Sequence, residues 1–412
     1  MKRIKKGLKI IKQNGLIDGT SIVLNKIRNR NKSSIVNFNS NKKDLFEFYN
    51  YITFQEKKSI LTSKINPRET SILWFIPDFG IGSGGHLNIF RMIYNLEKLG
   101  IKSDIAICGN SQWVKSEIAS KIINEHFFKI KSNIIIVDDE KLLDKIDSYD
   151  IAMATSWQTA YYVRRFEKCY KKTYFVQDFE PYFYAHGSSY QFAENTYNFG
   201  FIGISAGSWI SEKLKNEYKM KCFPFSFSYD RELYSKHKRR EDKRRVFFYS
   251  RPPTERRAFE LGMISLKKIS ELNPDVEIIF AGWDVSEYKI DFPHFNAGIV
   301  SLNELSNLYA QCDVALVLSF TNLSLLPLEL LASGCPIVSN EGMNNSWIDK
   351  DKRLFIYAEN NHEDIVKKLN EVLNKEVNVD FDYINNFLNN SSWENEADKV
   401  KQYLINIIKE DY

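Results

Sequence analysis

No stretch of this 412-residue chain approaches the ~18 apolar residues of a membrane-spanning helix, so none is expected. The amino terminus lacks the apolar core of a secretory signal. Cysteine is scarce and odd in number: Cys108, Cys169, Cys222, Cys312 and Cys335, with no CxxC pair. That pattern excludes a disulfide framework and a cysteine zinc centre. It reads as buried thiols in a reducing cytoplasm. Glycine and proline are in no excess, which leaves the composition of an ordinary soluble protein.

What is present is length, aromatic bulk and a lopsided charge. The chain is long enough for two domains with full cores. Aromatics make up 14% of it, which suits large cores or stacking on flat ligands. The net charge of +5 conceals a split: residues 1–70 hold 16 Lys and Arg against 5 Asp and Glu, and the rest is net acidic. In that leader Ile4, Leu8, Ile11 and Leu16 are spaced among lysines. A basic amphipathic helix at an anionic membrane surface, through residues 1–30, is one reading. A solvated arm is the other. No matching basic stripe recurs in the body, so no nucleic-acid partner is expected.

From Ser71 the pattern alternates between strand and helix. Apolar strand runs fall at Ser71–Ile76, Ile101–Cys108, Ile134–Val137, Ile151–Ala154, Thr173–Val176 and Phe201–Ile204. After the charged break SKHKRREDKRR they resume at Val246–Ser250, Val276–Ala281, Val314–Leu318 and Pro336–Ser339. Such alternation predicts parallel sheets covered on both faces: an α/β protein of two Rossmann-like doubly wound domains facing across a cleft. The expected divisions are a basic extension (1–70), a first domain (71–235), a linker (236–245), a second domain (246–380) and a helical tail (381–412). Ligands of such sheets bind at the carboxyl ends of the strands.

Four segments place chemistry at strand ends. Gly80 to Gly85 matches GxGxxG between a strand and a helix. A dinucleotide site would also want an acid closing the next strand, and that strand closes on Cys108-Gly-Asn-Ser. What survives is close backbone approach at Gly84 and Gly85, with His86 at the helix start. The segment QDFEPYFYAH carries Asp178, Glu180 and His186, where an acid could bond a sugar or act as a base. Capping the Pro181 turn or pairing with arginines is the alternative. Arg251, Arg256 and Arg257 follow a strand and open a helix, which suits a diphosphate. Finally, SFTNLSLLPLELLASG sets Glu329 on an apolar helix. An unpaired buried carboxylate is costly, so Glu329 needs a ribose, a sugar or a neighbouring arginine. The acidic run Asp138-Asp139-Glu140 reads as a solvated strand end, and no metal is assigned.

Arg251, Arg256, Glu329 and Gly334, in that order, resemble retaining glycosyltransferases of family 4, which have the two-lobed GT-B architecture. The resemblance implies that Arg251 and Arg256 grip a donor diphosphate and that Glu329 meets the donor ribose. It also implies a base-binding segment through Gly282 and Trp283 and near Val300, and a helix start at Ser324 and Leu325. The family's first glutamate position is Thr321, a departure on the sugar-recognition side. With RPPTERRAFELG and QDFEPYFYAHGSSY, that departure looks like the branch of bacterial rhamnosyltransferases that build cell-surface glycans. It implies transfer of L-rhamnose from dTDP-L-rhamnose, with no metal or further cofactor. The acceptor, a glycan or lipid-linked glycan, would enter past Gly84, Gly85, His86, Asp178, Glu180 and His186. A cytoplasmic enzyme at the inner membrane face is expected. Another nucleotide sugar, an NAD-dependent sugar-nucleotide oxidoreductase and an inactive scaffold remain as alternatives.

Overall fold

The computed structural model describes residues 45–66, 69–109, 111–113, 115–240 and 243–409. The membrane contact expected of residues 1–30 lies outside the described residues. By compactness the chain divides into Met1–Thr53 and Phe54–Tyr412. In the first unit the described part is one helical turn, Leu45–Phe48, and a 3-10 turn, Asn50–Thr53.

The larger unit holds two wholly parallel sheets. The first takes β1 (Thr70–Pro77), β2 (Ile101–Cys108), β3 (Ile134–Val137), β4 (Tyr149–Ala154), β5 (Cys169–Val176), β6 (Ile202–Ala206) and β7 (Cys222–Phe225). Their order is β3-β2-β1-β4-β5-β6-β7. The second takes β8 (Arg244–Tyr249), β9 (Val276–Ala281), β10 (His294–Gly298), β11 (Val314–Val317), β12 (Ile337–Asn340) and β13 (Ile356–Ala358). Its order is β10-β9-β8-β11-β12-β13. In each lobe the order reverses beside the first strand, between β1 and β4 and between β8 and β11. Loops leaving those strands part there and open a crevice.

The sequence accounts for this directly. Central strands are covered on both faces and so read as unbroken apolar runs: Ile72 to Ile76 and Val314 to Leu316 are inaccessible to solvent. Crossover helices supply the cover. In the first lobe they include α1 (Gly84–Lys98), α2 (Ser116–His126), α3 (Trp157–Arg165), α4 (Ser188–Asn195) and α5 (Ser208–Tyr218). In the second they include α6 (Phe259–Leu272), α7 (Leu302–Ala310), α8 (Leu326–Ala332) and α9 (His362–Leu373). Two helices close the chain, α10 (Phe381–Asn390) and α11 (Trp393–Lys409).

Two local expectations change. Arg256 and Arg257 do not open a helix. They form a 3-10 turn, Glu255–Arg257, and Ala258 behind them turns left-handed at φ 48° before α6 begins. The Glu329 helix starts at Leu326, with Pro327 in its first turn, so Ser324 and Leu325 belong to the loop. Residues 54–66 of the basic extension lie on the first lobe. There Phe54 meets Tyr162 edge to face, and Lys57 pairs with Glu167 at 3.0 Å.

The closing helix α11 returns to the first lobe, against α1 and β7. Lys401 Nζ donates to the Leu99 carbonyl at 2.8 Å, and Glu396 accepts from the Ser226 amide at 2.6 Å. With α11 against the first lobe, the chain passes between the lobes twice, before β8 and after α9.

Close packing makes Gly262 on α6 a sensitive position. A Cβ there would enter the ring of Phe248 on β8. Gly262→Ala should lower unfolding free energy by about 1–3 kcal/mol, the usual cost of overpacking. Chemical denaturation checks this, and a variant as stable as the parent would refute it.

Candidate functional site

The two crevices face each other, and the loops between them are stitched by hydrogen bonds. Asp178, just beyond β5, is buried. It accepts from Thr321 Oγ1 and from the Asn322 amide, both at 2.8 Å, and from the Phe179 amide at 2.8 Å. Asn322 answers with its side chain. Its Nδ2 donates to the Gln177 carbonyl at 2.9 Å and the Ala206 carbonyl at 2.8 Å. Its Oδ1 accepts from Trp347 Nε1 at 2.9 Å. Trp347 in turn lies on Gly207, where a Cβ would come within 2.6 Å of the indole and where φ is +99°. That position admits glycine on both counts.

The Ser319–Asn322 loop is held from behind by three asparagines. Ser319 exchanges bonds with Asn340, its amide donating at 2.8 Å and its carbonyl accepting at 3.0 Å. Asn344 donates to the carbonyls of Ser319 and Thr321, and Asn345 to those of Ser319 and Asn340. These residues were not among those singled out from the sequence. The run NEGMNNSW after a strand was the available signal, since asparagine pairs readily with loop backbone.

Three arginines gather beside this loop. The Phe320 amide donates to the Arg256 carbonyl at 2.9 Å, joining the two loops at the switch point of the second lobe. Arg257 Nη1 donates to Ser319 Oγ at 2.6 Å. Arg256 lies over the Phe183 ring of the other lobe, 3.9 Å from its centroid, and its Nε is buried without a partner. Arg251 lies 5.9 Å from the Tyr249 ring. Among the described residues none of the three forms an ion pair. Burial lowers the Arg256 guanidinium, and Arg251 lowers it further, against the pull of Asp178 and Glu180. Burial pushes Arg257 down to about 10, again with its two neighbours opposing its charge. Three mutually repelling cations without carboxylate partners form a site suited to an anion.

Glu180 has a different place. It is buried inside the first lobe, accepting from the Trp157 amide at the start of α3 and from Tyr174 Oη, each at 2.9 Å. Burial raises its carboxyl to about 7, opposed by those two bonds. So Asp178 clasps the facing loop and Glu180 caps a helix; both carboxylates bond within the protein. His86 Nδ1 lies 2.8 Å from Ser83 Oγ, while Nε2 is buried and unpartnered. Burial pushes His86 down to about 4, so the imidazole is neutral near pH 7. Gly85 faces Gln177, whose amide nitrogen stands 3.8 Å from a Cβ built there. His186 is exposed on the loop before α4 and packs on Tyr190.

On the far side of the second lobe's crevice, Gly282 takes φ +105°, and a Cβ there would strike the Tyr249 ring. Trp283 beside it is 36% exposed and Val300 half-buried. Glu329 is half-buried on α8. Its carboxyl is raised to about 7 by burial, against the pull of Arg91 and a bond from Tyr234, with Asp230 raising it further. Among the described residues no hydrogen bond or ion pair joins Glu329 to the three arginines. The charge that favours ionised Glu329 is that of Arg91, a residue of α1 hidden in the apolar run NIFRMIYN, whose ion pair is with Asp230.

The acidic run after β3 is structural: Asp139 caps a 3-10 turn and Glu140 pairs with Arg165 at 2.5 Å. Among the described residues no cluster of three or more His, Cys, Asp or Glu could hold a metal, and no helix is long and apolar enough to cross a membrane. All five cysteines are free, four of them buried.

Comparison with known proteins gives the family and the fold. Residues 110–204 match the model of the WsaF N-terminal domain, and residues 244–370 match that of the WsaF C-terminal domain. Together they span more than half the chain. Over 350 residues the chain is 30% identical to the O-antigen biosynthesis protein RfbC of Myxococcus xanthus, covering 82% of this chain and 27% of that protein. It thus spans about a quarter of that relative. Among solved structures, sucrose-phosphate synthase of Thermosynechococcus elongatus superposes with TM-score 0.61 at 11% identity, over 83% of this chain and 100% of that one. A mutant of S. aureus TarM gives 0.61 at 9%, over 83% and 100%. The lipopolysaccharide outer core galactosyltransferase WaaB gives 0.56 at 13%, over 81% and 100%. The fold is GT-B, as the sequence motifs implied.

Because Glu180 and Glu329 bind protons more tightly folded than unfolded, each costs stability as pH rises. Destabilisation begins above the unfolded carboxyl value near 4.5 and is complete above about 7. Glu180→Gln should therefore flatten the decline in unfolding free energy between pH 5 and pH 8, by an amount of the order of 2–3 kcal/mol. Urea titrations at both pH values measure it; an unchanged slope would count against the burial of that charge.

Proposed function

Since the chain belongs to the WsaF family in both of its domains, we propose that it is a glycosyltransferase of glycan biosynthesis. It moves a sugar from a nucleotide diphosphate donor to a glycan or lipid-linked glycan. The observation that carries this reading is the arginine trio at the switch point of the second lobe, cationic and without acid partners. The donor's diphosphate meets Arg251 and Arg256, whose guanidinium groups fit phosphate oxygens in pairs. Arg257, tied to Ser319, holds the loop in register. As the sugar bond breaks, charge develops on the leaving phosphate, and fixed cations stabilise it without reorganising. Arg256 already spans to the first lobe through Phe183, so it acts where the two lobes meet.

L-rhamnose from dTDP-L-rhamnose is our proposal for the donor, on the resemblance of RPPTERRAFELG and the Thr321 loop to rhamnosyltransferases. The base lies by Gly282, Trp283 and Val300, and the ribose reaches towards Glu329. The TarM structure contains UDP, which supports a nucleotide in the same fold. Transfer proceeds with retention and without a metal, because the arginines supply the charge. Asp178 and Glu180 are already bonded, so the leaving phosphate receives the acceptor's proton. The acceptor enters along Gly84, Gly85, His86 and the aromatic loop to His186. Contact of the basic leader with an anionic membrane surface suits a lipid-linked acceptor.

Arg251→Ala should keep the fold, since that side chain holds no ion pair, and should cut transfer by about 10²–10³. Transfer from dTDP-rhamnose to a glycan extract, measured by nucleotide release, tests it. Near-normal turnover would remove the diphosphate assignment. Glu329→Gln should weaken binding of dTDP about tenfold, the loss of one charged hydrogen bond. Calorimetry showing unchanged affinity would return Glu329 to a structural role.

A further inference from the structure

A pair of side-chain amides where α1 meets the exit of β5 has no part in the site as described. Asn88, one turn into α1, is 3% exposed. Its Nδ2 donates to Gln177 Oε1 at 3.1 Å, while its own Oδ1 is buried without a partner. Gln177, just beyond β5, is half-buried, and among the described residues its Nε2 has no hydrogen-bond partner. That nitrogen stands 3.8 Å from a Cβ built on Gly85, and nothing lies within 4 Å of one built on Gly84. The pair therefore borders the open side of the glycine loop. One hydrogen bond between two amides leaves one donor and one acceptor idle, and turning both amides over exchanges the roles without changing that count. A buried acceptor left unpaired costs stability, which a leucine at position 88 would not. As a plain tie between α1 and β5 the pair is incomplete.

We propose that Gln177 and Asn88 read the hydroxyls of the acceptor's terminal sugar. This rests on the reading that the acceptor enters along Gly84 and Gly85. A sugar hydroxyl both donates and accepts, so it answers both idle atoms: it accepts from Gln177 Nε2, and its own proton, or that of the neighbouring hydroxyl, goes to Asn88 Oδ1. A phosphate oxygen only accepts and would leave Oδ1 unpaired. An ammonium group only donates and would leave Nε2 idle. The chemistry of the pair thus selects a neutral polyol. Its position is set from the other lobe as well. The Gln177 carbonyl accepts from Asn322 Nδ2 at 2.9 Å. Two residues before Asn322, the Phe320 amide bonds the Arg256 carbonyl. Acceptor sugar and arginines are thereby registered to one loop.

The test separates acceptor from donor. Gln177→Glu keeps an oxygen for Asn88 Nδ2 and removes the idle donor. Asn88→Leu keeps the volume and removes the idle acceptor. With dTDP-rhamnose and a glycan extract, each should raise the acceptor KM about three- to tenfold, the loss of one neutral hydrogen bond. Affinity for dTDP, measured by calorimetry, should stay at the parent value in both. Unchanged acceptor KM in the two variants overturns the proposal, and so does a loss of dTDP affinity as large as the loss for the acceptor. A lower thermal midpoint with unchanged acceptor KM would assign the pair to packing and overturn it too. If one variant does not fold, the other decides by the same split. A parent enzyme that binds dTDP but transfers nothing to the extract defeats the acceptor reading itself, and this inference with it.

Discussion

One side chain, Asn322, satisfies the backbone of the facing lobe at two carbonyls, and Asp178 returns the contact through two donors of the Thr321–Asn322 loop. Every group in that exchange is buried or half-buried. Each bond adds about 0.5–1.5 kcal/mol net, but a missing partner exposes the full desolvation cost of the other. The contact is therefore cooperative: it forms as a unit or fails as one. The placement of the arginine trio depends on it. Arg256 shares a backbone bond with Phe320, and Arg257 holds Ser319, so both inherit the position of this loop.

Charge is distributed unevenly around that clasp. The acids nearest the cleft are all occupied, Asp178 by the facing loop and Glu180 by α3 and Tyr174. The arginines have no carboxylate in ion-pair contact; Arg257 bonds Ser319, and Arg256 lies over Phe183 with its Nε unpartnered. A buried cation without a counter-ion is tolerated when a ligand supplies the missing charge. In the proposed function a diphosphate supplies it, and the same electrostatics would assist departure of that diphosphate from the sugar. Binding and catalysis would then draw on a single imbalance.

Much of this was legible in the chain itself. Apolar runs such as SILWFI and VALVL located the central strands, because a strand covered on both faces leaves no alternation to misread. Arg251 and Arg256, after a strand, fell at the second lobe's switch point, since parallel topology brings strand-end loops together, whereas Glu329 lies inside α8. Edge strands were harder. β7, β10 and β13 carry Pro224, Asn296 and a three-residue span, and their patterns are weak. The clasp was hidden for another reason. Asn322 and Asp178 are 144 positions apart, and nothing in either neighbourhood marks its partner. Arg91 was hidden by its setting, a charge inside an apolar helix face whose partners lie on the crossover and on the last helix.

Thr321 is where these strands of argument meet. At the position where family 4 glycosyltransferases carry their first glutamate, it read as a departure. In the folded protein its hydroxyl donates to Asp178 at 2.8 Å, and the site around it is 1% exposed. A glutamate there could only accept, so it would set a second carboxylate against Asp178 in a buried space. One of the two would have to take up a proton or the lobes would part. Threonine and Asp178 are therefore a matched pair. The carboxylate stands on the first lobe and the donor on the second, and the hydrogen bond between them joins the two loops. The residue that departs from the family 4 pattern is the one whose hydroxyl Asp178 accepts from.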